Sequence, residues 1–206
     1  MLEAGQIVIS MRTKKVLLPS FFMHLSTRVA PLLLGKVLAR RIGRRTYYCI
    51  ITETEAYEGS GDKVSHASRG KTKRNAPMFK RGGIWYVYFV YGMHWMLNAV
   101  TDKERRPSAV LIRAGVLVDR NCRPFRVLRG PAVLTKALHI AKMQNGKVID
   151  RPSHLWIEDW KINVRRSDIK KGPRVGVGYA GRWARTPWRF FIHAPRFTML
   201  SSCRMR

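Results

Sequence analysis

Acidic side chains are scarce: 12 Asp and Glu stand against 40 Lys and Arg in 206 residues, a formal charge of +28. An excess of this size repels itself in a compact state. It points to a polyanion, nucleic acid first, as the usual partner. Cysteine is also rare. Cys49, Cys122 and Cys203 lie far apart with no C-x-x-C pair, which argues against a disulfide framework or a thiolate zinc site. Long apolar runs are missing, since none approaches the roughly 18 residues that span a bilayer. The opening MLEAGQIVISMRTKKVLLPSFF lacks a basic-then-apolar signal peptide. An intracellular protein without membrane contact is expected, in a bacterial cytoplasm or a eukaryotic nucleus.

Hydrophobic residues still make up 46% of the chain, enough for a real core, and no repeat or linker divides it. One α+β domain is expected over 21–200, with an N-terminal arm at 1–20 and a tail at 201–206. The run Leu32-Leu33-Leu34-Gly35 predicts a short helix closed by a left-handed glycine, with Ser26 or Thr27 as its N-cap. KVLARRIGRRTYYCIITETEAY reads as two strands meeting at Gly43. Residues 58–83 are glycine-rich and polar, a long loop of the kind that carries function. GPAVLTKALHIAKMQNG predicts a helix from Pro131, with apolar positions 133, 134, 137, 138 and 141 and Gly146 beyond its end. SAVLIRAG, HLWIED and RFFIH read as strands.

Residues 84–100, IWYVYFVYGMHWMLNAV, concentrate the aromatics and divide at Tyr91-Gly92 into a predicted hairpin. Tyr86, Tyr88 and Val90 share one face. Val87, Phe89, Met96 and Leu97 are expected in the core. Tyr91 sits at the tip, where burial gains little, and an aromatic wedge on a basic protein suggests unstacking of a base step from the minor groove. The acids cluster only in ETEAYEG, where Glu53, Glu55 and Tyr57 point to one face of a strand. Glu53 and Glu58 are expected to pair with arginines. Glu55 is the candidate general base beside a flipped nucleotide, and His66 lies in the following loop.

These segments together resemble the alkyladenine (3-methyladenine) DNA glycosylase family of base-excision repair. The matching stretches are LLLGKVLARR, ITETEAYEG, SHASRGKTKRNAPMF, WYVYFVYGMHWMLNAV, AVLIRAG and RVGVGYAGRWARTPWRFFI. The resemblance implies a single domain with a curved antiparallel sheet, flanking helices and a protruding DNA-inserting hairpin. It also implies an alkylated or deaminated purine, flipped from duplex DNA and released by hydrolysis of its N-glycosidic bond, by a monomeric enzyme without metal or cofactor. By the same resemblance, Glu55 activates the water and Arg113 lies beside it. Tyr57, His66 and Tyr88 hold the flipped base, and Asn98 crowds the 2-amino group of guanine. Tyr91, with Met93 beside it, fills the gap in the duplex, and Arg74 contacts DNA. His94 stands where the family pattern favours an aromatic, and Arg182 where an acid is common.

The substrates expected on this basis are 3-methyladenine, 7-methylguanine, hypoxanthine and ethenoadenine. Two other readings remain: an architectural DNA- or RNA-binding wedge without catalysis, and a bifunctional glycosylase/lyase acting through a lysine Schiff base. No lysine lies in ITETEAYEG, WYVYFVYGMHWMLNAV or AVLIRAG, the segments that carry Glu55, Tyr57, Tyr88, Asn98 and Arg113.

Overall fold

A computed structural model of the chain describes residues 14–192. Its frame is two long antiparallel strands, β3 (Arg45–Glu58) and β6 (Ser108–Val118). Both are rich in β-branched, aromatic and small residues, which suits a sheet covered on its faces. Around them lie β1 (Lys15–Val16), β2 (Val37–Ile42), β4 (Trp85–Val90), β5 (His94–Val100), β7 (Pro124–Leu128), β8 (Leu155–Asp159), β9 (Lys170–Gly172) and β10 (Arg189–Phe191). The main order is β1-β8-β2-β3-β6-β5-β4; β10 pairs with β3 and β9, and β7 with β6. All pairings are antiparallel. Among the described residues no helix is long and apolar enough to cross a membrane.

Two short helices, α1 (Ser26–Leu32) and α2 (Pro131–Ala137), cover the larger core. That core joins Phe22, Leu33, Ile50, Ile112, Leu134 and Trp160. A smaller cluster, with Ala67, Met78, Tyr86, Val100 and Ala109, lies under the 58–83 loop. The loop contains two single 3-10 turns, His66–Arg69 and Ala76–Phe79.

Several expectations need correction. Residues 1–13 and 193–206, and with them the tail and His193, lie outside the described residues. The expected arm does not run to residue 20, because Lys15–Val16 adds an edge strand to β8. Neither Ser26 nor Thr27 caps α1 with its side chain. Glu58 takes that place from across the sheet, accepting from Ser26 Oγ at 2.6 Å and Thr27 N at 3.3 Å. It therefore binds a helix N-terminus and two serines, including Ser108, and pairs with no arginine among the described residues. Helix α2 stops short because His139 turns left-handed (φ 48°), and Val133 is exposed. The following turn instead brings Asn145 Oδ1 to accept from Val87 N at 2.9 Å, fastening β4.

A close approach fixes one glycine in the frame. A Cβ on Gly115 would strike Cys49 Sγ and stand 2.6 Å from Ile50 O. Gly115→Ala is expected to cost about 1–3 kcal/mol, read as a lower midpoint in urea with an unchanged slope.

Candidate active site

β5 pairs with β6 only over Asn98–Val100, so the outer part of the β4–β5 hairpin leaves the sheet. This is why Phe89, expected in the core, is 41% exposed and packs across the hairpin on Trp95. Val87 and Leu97, nearer the base, are buried as expected. At the tip Tyr91 and Gly92 both have positive φ, 52° and 65°. A primed hairpin turn asks for that geometry and favours Asn-Gly. A tyrosine there is held in a conformation costing roughly 1–2 kcal/mol, yet it is 85% exposed. Such strain on an exposed side chain points to a use outside the fold.

Between the hairpin, the loop and the strand frame lies a cavity of about 290 Å³. Its walls include Tyr57, His66, Tyr88, Asn98, Arg113 and Tyr91, bringing together most of the residues singled out by sequence. Met96, expected in the core, also lines it. The Tyr88 ring meets His66 edge-on at 4.5 Å, and Tyr86 lies 5.1 Å away. His66 Nδ1 shares a 3.0 Å hydrogen bond with the Tyr86 hydroxyl. Burial, with the nearby Arg74 charge second, lowers the His66 pKa, so the ring is neutral at physiological pH. Asn98 is buried and donates from Nδ2 to Tyr86 O at 3.1 Å.

Glu55 lies behind the cavity wall, fully buried. Its Oε1 accepts from Val175 N at 2.8 Å and faces Arg113 Nη1 at 3.4 Å; Oε2 accepts from the Tyr57 hydroxyl at 2.8 Å. Each of these partners lines the cavity. A carboxylate has about four acceptor positions, so one is left for a further donor such as water. Burial raises the Glu55 pKa, opposed by Arg113, the Val175 amide and the Tyr57 hydroxyl. A buried, partly compensated carboxylate is the arrangement of a general base.

A local irregularity aims Arg113. The β3–β6 register shifts between Ile51 and Glu53 and again between Glu53 and Thr54, leaving Arg113 without a partner residue in the ladder. Such bulges redirect side chains beside functional sites. Arg113 Nε donates to Glu53 Oε1 at 3.0 Å, and Arg189 approaches the same oxygen at 3.2 Å. Glu53 thus pairs with arginines as expected.

Sequence reading missed three supports. Val175 acts through its backbone, which no side-chain pattern reveals. Arg174 is buried, bridges Asp62 with both terminal nitrogens, and lies 5.0 Å from the Tyr57 ring centroid. Tyr179, 78% exposed at the cavity rim, carries a second projecting aromatic. Met93 is exposed beside Tyr91, and His94 begins β5 opposite Val90. Arg74 is exposed and donates from Nη2 to Phe89 O at 2.8 Å. Among the described residues no three His, Cys, Asp or Glu side chains converge as a metal site needs.

The methylpurine-DNA glycosylase family model matches residues 20–196. Similar proteins include one from Methanocella arvoryzae, 40% identical over 186 residues, covering 85% of this chain and 92% of that protein. One from Anaeromyxobacter dehalogenans is 44% identical over 179 residues, covering 85% and 83%. One from Ehrlichia chaffeensis is 39% identical over 185 residues, covering 90% and 96%. All three are provisionally named 3-methyladenine DNA glycosylases.

Proposed function

Because the chain belongs to the methylpurine-DNA glycosylase family, we propose that it draws a damaged purine from duplex DNA into this cavity and hydrolyses its N-glycosidic bond. The observation that carries this reading is a fully buried Glu55 whose partners all line one aromatic-walled cavity.

The hairpin enters from the minor groove, and Tyr91 occupies the space the extruded nucleotide leaves. The purine stacks among Tyr57, Tyr88 and His66, and Asn98 opposes a guanine 2-amino group. Glu55 takes a proton from water as the water oxygen bonds to C1′ of the deoxyribose. The C1′–N9 bond breaks, its electron pair leaves with the purine, and an abasic sugar with a C1′ hydroxyl remains. The same carboxylate steadies positive charge developing on the sugar. Arg113 holds Glu55 in place and keeps it ionised against its burial. The enzyme works as a monomer, and the excess of basic residues makes its binding fall steeply with salt.

Tyr91→Asn separates the wedge from the fold. Asparagine tolerates the left-handed turn, so stability should rise by up to about 1 kcal/mol. Lost stacking should slow base release roughly ten- to hundredfold, from about 1–3 kcal/mol per stacked contact. Chemical denaturation and single-turnover release from a hypoxanthine duplex measure the two effects; unchanged release would remove Tyr91 from the mechanism.

A further inference from the structure

Each of the two tyrosines that would flank a base carries a guanidinium. Arg174 lies 5.0 Å from the Tyr57 ring centroid and Arg74 lies 5.3 Å from that of Tyr88. Neither arginine lines the cavity, so both cations stand outside the space a base would fill. Their charge balance differs. Arg174 is neutralised by Asp62, whereas no carboxylate of the described residues comes within 4.0 Å of Arg74. Around the cavity, Glu53, Glu55 and Asp62 offset Arg113, Arg189 and Arg174, and Arg74 is left over.

We propose that Arg74 is a selectivity residue, biasing the pocket toward neutral damaged purines and away from cationic N-alkylated ones. The inference rests on the reading of the cavity as a flipped-purine site. A cation over an aromatic ring draws on the same π-density that a second cation would use from the other side, and the two charges repel. A neutral purine keeps its stacking and loses nothing to that competition. The aromatic walls alone would favour a cationic base, so Arg74 works against the preference of the rings it touches. Its hydrogen bond to Phe89 O holds the guanidinium over Tyr88. Burial first, and the Arg74 charge second, lower the pKa of His66 in the cavity wall.

The test compares single-turnover release of 7-methylguanine and hypoxanthine from otherwise identical duplexes at saturating enzyme. For Arg74→Met the ratio of 7-methylguanine to hypoxanthine rates should rise about two- to fivefold, the size of a partly exposed cation–π effect. Arg74→Lys retains the charge and should stay near the wild-type ratio. Raising salt should move the wild-type ratio toward that of Arg74→Met. Equal changes on both lesions would overturn the proposal and leave Arg74 a DNA contact or hairpin clamp. Release of neither base by the wild-type protein would overturn the reading of the cavity itself, and the selectivity role with it.

Discussion

Glu55→Gln is expected to slow single-turnover base release by about 10²–10⁴-fold while the protein folds and still binds a lesion duplex. The amide keeps the size of the carboxylate and can face the Val175 amide and the Tyr57 hydroxyl, but it cannot accept a proton from water. Binding can be followed by the fluorescence of an ethenoadenine duplex, which reports unstacking. The wild-type pH profile follows from the same burial. The base must be ionised, and desolvation raises its pKa above the ordinary carboxylate value of 4.5. Release should therefore fall as pH drops through that raised value, with an acid limb above the usual carboxylate range. The sign for stability is opposite to that of a salt-bridged carboxylate with a lowered pKa. Folding favours the protonated form of Glu55, so ionisation costs stability as pH climbs from the unfolded value through the folded one. At pH 7 the Gln variant should melt no lower than wild type. Full activity in this variant would remove Glu55 from the chemistry.

Asp62→Ala should produce the largest structural effect. The Asp62 and Arg174 side chains are both 0% exposed, so removing one carboxylate leaves a buried, uncompensated guanidinium. Breaking such a pair costs about 3–5 kcal/mol. Asp62 also accepts from Glu58 N and Val64 N, so the loop loses two further anchors. The melting temperature should drop on the order of 10 °C for a chain of this size. Release by the remaining folded enzyme should slow as well, because Arg174 backs Tyr57 and adjoins Val175. Asp62→Asn retains an acceptor and the volume, and should lie between wild type and Asp62→Ala. A drop within 2 °C, on the scale of about 0.5–1 kcal/mol, would show that this pair does not hold the pocket together.

Strand alternation made the frame and half of the site legible. Period two placed Glu53, Glu55 and Tyr57 on one face of β3, and Tyr86, Tyr88 and Val90 on one face of β4. Alternation gives the face of a residue but not whether anything covers it. Phe89 was therefore expected in the core and is found on a hairpin that has left the sheet. Arg113 could be named only by resemblance, because a register shift, invisible in the sequence, aims it at Glu53 and Glu55. The Arg174–Asp62 pair joins residues 112 apart, a distance over which no local pattern operates. Glu58 misled for a related reason: in so basic a chain an arginine partner is the statistical expectation, but the N-terminus of α1 lies closer. The left-handed Tyr91 shows where sequence and fold disagree, since turn chemistry asks for asparagine there and the chain has an aromatic.

The most direct test of the account is single-turnover incubation of the wild-type protein with duplexes carrying one 3-methyladenine, hypoxanthine or ethenoadenine, followed by analysis of free base and of the DNA strand. The account predicts free purine, an abasic site in an uncut strand, and no protein–DNA adduct on borohydride treatment. Equal binding to damaged and undamaged duplexes with no base released from any lesion would contradict it, and would leave the hairpin as a DNA wedge without catalysis.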